Sequence, residues 1–198
     1  AGLTLAFSAN SALAVEKMRL AHNQPEDHPV HKAMVKFAEL TKQYSKDDIE
    51  ITVFPNGVLG GEREMLEQVQ NGILEFTKAS AAPLEAFTPE YKVYNLPFVF
   101  RDHDHMRKII DGEIGQEMLD KITNSDFNMV ALAWMDGGTR NLYTKKPVRE
   151  IADLKGMKIR VQGNPVFIDT INDMGGNGIA MATGEIFSAL QTGVIDGA

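Results

Sequence analysis

The sequence predicts an α/β fold with a largely parallel sheet, divided into two lobes. Segments that alternate like strands are followed by segments with helical periodicity, and this order repeats along most of the 198 residues. A glycine-rich interruption at Asp136–Gly138 breaks the pattern. We therefore predict a first lobe over residues 15–137 and a second, incomplete lobe over residues 138–198.

The first lobe is predicted to begin with a strand over Met18–Ala21. A helix over Pro29–Tyr44 follows, because its apolar residues recur at helical spacing. Ile49–Phe54 alternates as a strand, and Glu62–Asn71 has the pattern of a helix that Gly72 ends. The remaining predicted elements are a strand over Ile73–Thr77, helices over Asp102–Ile110 and Ile114–Ile122, and a buried strand over Met129–Trp134.

The second lobe is predicted to continue the alternation of strands and helices. Its run of glycines after the first helix, Gly175–Gly178, lacks a dinucleotide-binding spacing and is typical of a turn that ends a helix. The predicted elements are strands over Asn141–Thr144, Lys158–Val161 and Ile179–Met181, helices over Pro165–Met174 and Gly184–Gln191, and a last apolar run, Val194–Ile195.

Both ends of the chain carry information about its origin. Gly2–Ala14 is an apolar run with small residues, in which Ala12 and Ala14 fit a signal-peptidase site. We therefore expect residues 1–14 to be the end of a secretory signal; a buried strand or helix is the alternative. The chain stops at Ala198 directly after a short apolar run, so we expect a fragment.

Charge and composition exclude several classes of function. The net charge of −7 argues against nucleic acid or an anionic membrane as partner, since both select clustered lysine and arginine. The absence of cysteine excludes disulfides and thiolate sites. Two histidine pairs lack the spacing of a helical zinc site and are expected to be solvated or helix-capping, namely His28 with His31 and His103 with His105.

No catalytic or cofactor motif stands out elsewhere. The GGERE segment lacks the Lys-Ser/Thr of a phosphate-binding loop, and no G-x-S-x-G elbow occurs. Glu62 and Glu64 are predicted to be solvated acids in the first turn of a helix, where they suit its dipole. We therefore expect a protein that is not an enzyme and that uses no cofactor and no metal.

Arg160 is the residue most suited to holding a ligand. It lies in the predicted strand Lys158–Val161, on the face opposite Ile159 and Val161. Near a strand end in an α/β sheet, such a residue can reach a crevice ligand, and its planar guanidinium can bind a carboxylate with two parallel hydrogen bonds. From the pattern alone, a structural ion-pair role is favoured for Arg160, and equally for Arg140.

Several segments resemble the substrate-binding subunit of TRAP transporters, the DctP-like periplasmic solute receptors of tripartite ATP-independent systems. The resemblance runs in order from Lys17 to Ala198 and reverses the interpretation of Arg160. The matching segments are LAHNQPEDHPVHKAM, FPNGVLGGEREMLEQVQNGILEFT, NLPFVFRDHDHM, DGGTRNLYT, IADLKGMKIRVQGNPVF and TGEIFSALQTGVIDGA.

The resemblance implies a class II-like binding protein whose two α/β lobes close over a carboxylate ligand. It assigns Arg160 to the carboxylate and Arg140 to an assisting role. It further implies a monomeric periplasmic protein that delivers its ligand to membrane permease subunits, and a further cleft asparagine beyond Ala198. The other positions that it places at the cleft are Asn23, Ser80, Gln162, Thr183 and Glu185. Many relatives carry an acid in place of Ser80 and an aromatic residue in place of Thr183.

The polar candidates favour a hydroxylated acid, such as a uronate or aldonate, over a plain C4-dicarboxylate. Trp134 or Phe167 could stack on a sugar face, whereas a dicarboxylate would need a second cation from Arg140 or Lys158. Two other functions remain open at this point. One is a carboxylate-sensing extracytoplasmic domain, and the other is a secreted enzyme acting on acidic sugars.

Overall fold

The computed structural model describes residues 14–198, so all of the predicted signal segment except Ala14 lies outside the described residues. The first part of the chain forms a three-stranded parallel sheet in the order β2-β1-β3. Helices connect consecutive strands. The elements are β1 (Glu16–Ala21), α1 (Pro29–Tyr44), β2 (Ile49–Phe54), α2 (Glu62–Gln70) and β3 (Phe76–Thr77).

Local sequence explains where the first helix begins. The ring Nδ1 of His28 accepts a hydrogen bond from the Val30 backbone N–H at 3.1 Å, and Pro29 occupies the first helical turn, where its missing N–H costs nothing. His28 therefore caps a helix, as predicted. The end of β1 packs against α2 through a core that includes the fully buried Ala21 and Met65.

A second core lies beside this sheet. Tyr91 and Met118 are buried in it together with Met129, and the Tyr91 hydroxyl donates to the Met118 carbonyl at 2.8 Å. The Trp134 ring stacks on Tyr91 with centroids 5.7 Å apart. The elements around this core are α3 (Ala81–Leu84), a 3-10 segment (Pro89–Asn95), α4 (His103–Ile110) and α5 (Glu113–Thr123).

The predicted strand over Met129–Trp134 is wrong. Only Met129 is buried in this segment, while Val130 and Leu132 are 67% and 62% exposed. No segment of residues 14–198 forms a ladder with it, and a strand requires a hydrogen-bonded neighbour. The predicted strand over Asn141–Thr144 is likewise reduced to one antiparallel bridge between Thr144 and Gly197.

The last part of the chain builds a second parallel sheet of two strands. Ile159 and Val161 are buried on one face, and Arg160 between them points to the other, as the alternation predicts. Gly175 follows the helix Pro165–Asp173 and has a positive φ of 88°, which confirms the predicted helix-ending turn. The elements are a 3-10 turn (Ile151–Leu154), β4 (Lys158–Val161), α6 (Pro165–Asp173), β5 (Asn177–Ala180), a 3-10 turn (Thr183–Glu185) and α7 (Ile186–Thr192).

The predicted α/β class with parallel strands is confirmed, and most element bounds differ from the prediction by one or two residues. The exception among the paired strands is β3, which is shortened to Phe76–Thr77. None of the helices between residues 14 and 198 combines the length and the apolar character needed to cross a membrane.

Candidate functional site

The two sheets meet at the carboxyl ends of their strands. Asn23 follows β1, Ser80 follows β3 and Gln162 follows β4, while Thr183 lies three residues after β5. In parallel sheets this edge is where ligands bind. Hydrogen bonds bring the predicted residues together in two groups, one around Arg160 and one around Arg140.

The first group orients Arg160. Its Nε donates to the Met181 carbonyl at 2.8 Å, and its Nη2 lies 3.3 Å from the Thr183 hydroxyl. The Asn23 side-chain amide reaches the same hydroxyl at 3.4 Å, so this group joins the first sheet to the second. Because two of its donors are fixed within the protein, the guanidinium is held in one orientation and keeps other N–H donors for a ligand.

The second group orients Arg140. Its Nη2 donates to Gln162 Oε1 at 2.9 Å, and its guanidinium lies over the Phe167 ring, 4.3 Å from the centroid. Gln162 Nε2 in turn lies 3.2 Å from the Ser80 hydroxyl. One face of Phe167 is therefore covered by Arg140, and only its other face could stack on a sugar.

A carboxylate that the sequence analysis misjudged lies in this second group. Glu62 was predicted to be solvated, but its side chain is only 8% exposed. Its Oε1 accepts from the Ser80 hydroxyl at 2.8 Å and from the Ser80 backbone N–H at 3.0 Å, and its Oε2 accepts from Gln162 at 3.0 Å. Lys78 Nζ, 14% exposed, lies 3.6 Å from Oε1. The expectation holds for Glu64, an exposed residue whose carboxylate accepts from the Gly61 N–H.

Of the two missed residues, only Lys78 carried a clear signal in the sequence. Lys78 directly follows β3, at the same strand end that singles out Asn23 and Ser80, so applying the strand-end rule to every charged residue would have found it. Glu62 is the first residue of α2, where an acid is favoured whether it is buried or solvated.

The charges of the site influence Arg160. Loss of hydration on burial lowers its pKa, and the neighbouring charge of Arg140 lowers it further. The carboxylates of Glu62 and Glu185 oppose this by favouring the charged form. An arginine remains protonated at neutral pH even so, and a partly desolvated cation of this kind interacts strongly with an anion.

Three residues considered for the site make other contacts or lie away from it in the structure. Glu185 accepts from the Ala182 backbone N–H at 3.1 Å and so caps its own turn, and its charge favours the protonated form of Arg160. Trp134 donates to the Gly115 carbonyl at 2.9 Å and packs among tyrosines, so its ring is used in the core. Lys158 is exposed at the start of β4, the opposite end of that strand from the site.

A buried polar contact also joins the two sheets outside this group. Asn164, 1% exposed, caps α6 and donates to the Ala82 carbonyl at 3.1 Å and to Glu85 Oε2 at 2.6 Å. The same Glu85 oxygen accepts from Asn95 at 3.2 Å. Within residues 14–198 the structure contains no cluster of three or more side chains suited to a metal ion.

A family model matches residues 20–198, nearly the whole described chain; it is that of DctP, bacterial extracellular solute-binding protein, family 7. The chain belongs to this family. A solute-binding protein of Chromohalobacter salexigens is 35% identical over all of this chain and 58% of its own length. The chain thus spans about three fifths of the length of such relatives.

Two solved structures of TRAP periplasmic solute binding proteins are similar over most of the chain. A TRAP periplasmic solute binding protein of Pseudomonas putida F1 with bound D-glucuronate is 62% identical, with a TM-score of 0.89 over 92% of this chain and 60% of that one. Its counterpart from Citrobacter koseri, also with bound D-glucuronate, is 51% identical, with a TM-score of 0.90 over 93% of this chain and 62% of that one.

The arrangement of the two sheets is more similar to the structure of the Citrobacter koseri protein with bound D-glucuronate than to its apo, open structure. The apo, open structure of the Citrobacter koseri protein has a TM-score of only 0.75 at the same 51% identity, over 91% of this chain and 60% of that one. Since the sequence is the same in the two comparisons, the lower score reflects conformation. The Asn23–Thr183 and Gln162–Glu62 hydrogen bonds join the two sheets in this arrangement.

Proposed function

We propose that this protein is a periplasmic solute-binding protein that captures a sugar acid through its carboxylate and delivers it to a TRAP membrane permease. One observation carries the proposal. Arg140 and Arg160 are held at the meeting point of the two sheets, and neither forms an ion pair with a carboxylate of residues 14–198. Two oriented, partly desolvated guanidinium groups in a cleft favour an anion as ligand.

The two arginines have different roles in this proposal. Arg160 is fixed from behind by the Met181 carbonyl and binds the ligand carboxylate directly. Arg140, positioned by Phe167 and Gln162, assists from the side. Asn23, Ser80 and Thr183 supply short polar groups for hydroxyls, and Glu185 contributes charge.

The ligand class follows from the polar lining and from the relatives. D-glucuronate is bound in both similar structures, whose sequences are 62% and 51% identical to this chain. Hydroxyl, amide and carboxylate groups at the site can pair with several sugar hydroxyls, whereas a plain C4-dicarboxylate would leave them unpaired. We infer a uronate or a related sugar acid.

The proposal includes the wider setting of the protein. It would act as a monomer in the periplasm, after removal of a signal peptide, and bind its ligand without chemical change or cofactor. The lobe boundary is proposed at Gly137–Gly138, where neither glycine is packed: an added Cβ would meet nothing within 4 Å. Gly138 has a positive φ of 85°, which favours glycine at that point.

The proposal is tested by replacing Arg160 in the full-length protein. Arg160→Ala is expected to weaken D-glucuronate binding more than tenfold by calorimetry, since charge-assisted hydrogen bonds contribute about 1.5–3 kcal/mol each. Arg160→Lys should lose part of the affinity because it keeps the charge but not the fork. The exposed Arg149→Ala is the matched control. Unchanged affinity of Arg160→Ala would refute the carboxylate clamp.

A further inference from the structure

Glu62 is the one carboxylate at the cleft that the described residues hold from several sides. Lys78 and both Ser80 groups bind its Oε1, which fixes the carboxylate on the wall that belongs to the first sheet. Its Oε2 has a single partner within residues 14–198, the amide of Gln162. Since an ionised carboxylate oxygen can accept two hydrogen bonds, Oε2 retains room for one more donor.

Gln162 separates Glu62 from the arginines. Its Oε1 accepts from Arg140 and its Nε2 donates to Glu62, and only this orientation of the amide satisfies both neighbours. The guanidinium and the carboxylate are thus one amide group apart. The cleft therefore has a cationic wall on the second sheet and a fixed anionic acceptor on the first.

The charges of the site suit one negative charge and no more. Among residues 14–198, the ionisable groups that line the cleft or act on its arginines are three cations, Lys78, Arg140 and Arg160, and two carboxylates, Glu62 and Glu185. Their sum is +1. A monocarboxylate neutralises this charge, whereas a dicarboxylate would leave an excess negative charge in a partly desolvated cleft, where an unpaired charge is costly.

We propose that Glu62 determines specificity by accepting a hydrogen bond from a ligand hydroxyl and by repelling a second carboxylate. This inference rests on the proposed sugar-acid function and deepens it. A hydroxyl can donate to Oε2, but a ligand carboxylate at that place would set two anions side by side. Monoacids with hydroxyls are therefore selected over diacids of the same length.

The test compares two acids that differ at one end only. D-gluconate and D-glucarate share a six-carbon hydroxylated chain, but D-glucarate carries a second carboxylate. Their dissociation constants are measured by competition with D-glucuronate in the full-length protein, for the wild type, Glu62→Gln and Glu64→Gln. Glu64 is the matched control because it lies in the same helical turn, is exposed, and loses the same charge.

The wild type is expected to bind D-gluconate at least tenfold more tightly than D-glucarate. Glu62→Gln should narrow this ratio at least fivefold, and Glu64→Gln should leave it unchanged. Should Glu62→Gln fail to fold, Glu62→Asp is the second variant, because it keeps the negative charge on a side chain that is shorter by one methylene group. The Glu62→Asp protein should retain the preference for the monoacid while binding D-glucuronate several-fold more weakly.

The results separate the two proposals. The role of Glu62 is overturned if Glu62→Gln leaves the ratio of the D-glucarate and D-gluconate dissociation constants unchanged, even if D-glucuronate binds tightly. It is overturned as well if Glu62→Asp no longer prefers D-gluconate. A wild type that prefers D-glucarate overturns it as well. A wild type that binds none of the three acids instead refutes the sugar-acid function itself.

Discussion

The buried His22 makes the stability of the protein depend on pH. Its side chain is fully buried next to the cleft, and its Nδ1 accepts from the Gln24 backbone N–H at 3.1 Å. The proton of the neutral ring therefore lies on Nε2 and is directed to His31 Nδ1, 3.1 Å away. Burial lowers the pKa of His22 from 6.5 to about 4, assisted by the charges of His31, Lys78 and His28.

This shift sets both the sign and the size of the effect. The folded protein binds the His22 proton only near pH 4, whereas the unfolded chain binds it near pH 6.5. Stability from this group is therefore complete above pH 6.5 and declines as the pH falls towards 4. At about 1.4 kcal/mol per pKa unit, the full loss is about 3 kcal/mol, of which about 2 kcal/mol is lost by pH 5.

The assay is urea unfolding of the full-length protein between pH 7.5 and 4.5, for the wild type and His22→Asn. The asparagine oxygen can still accept from the Gln24 N–H but does not titrate. The free energy of unfolding of the wild type should fall by about 2 kcal/mol more than that of the variant between pH 7 and 5. Equal slopes for both proteins, or a His22 ring that titrates near pH 6.5 by NMR, would refute this reasoning.

Two pairs of substitutions test the packing. An added Cβ at Gly115 would collide with the Ile110 carbonyl, so Gly115→Ala should destabilise by about 1–3 kcal/mol, while the unpacked Gly137→Ala should stay within about 0.5 kcal/mol by thermal unfolding. Tyr91→Phe removes a buried hydrogen bond and should cost about 0.5–1.5 kcal/mol. Tyr94→Phe should leave the free energy of unfolding unchanged, because the buried Tyr94 hydroxyl has no hydrogen-bond partner within residues 14–198. A larger destabilisation by Tyr94→Phe than by Tyr91→Phe would contradict both assignments.

Much of the fold could be predicted because local signals agreed with one another. α1 combines a capping histidine, a proline in its first turn and a helical apolar pattern, and both of its bounds match the prediction. Met129–Trp134 is a continuous apolar run, typical of a buried strand, yet an apolar run does not supply a neighbour to pair with. Pairing is a long-range property that periodicity cannot reveal.

The candidate site divides along a similar line. Arg160 could be assigned to a face because a strand fixes the direction of each side chain. The burial of Glu62 could not be predicted, because the dipole of a helix favours an acid in its first turn whether or not that turn is covered by other residues. Its burial depends on Lys78 and Ser80, which arrive from a different strand end. The burial of His22 was missed as well, because its ring contacts His31 from a different element, the helix α1.

The polar contacts between the two sheets are made by side-chain amides rather than by oppositely charged groups. Asn23, Gln162 and Asn164 make these contacts, and within residues 14–198 no ion pair crosses from one sheet to the other. Gln162 lies between Arg140 and Glu62, so the guanidinium and the carboxylate do not pair directly with each other. Both arginines would therefore be left to the anion that we propose as ligand, since no carboxylate of residues 14–198 forms an ion pair with either of them.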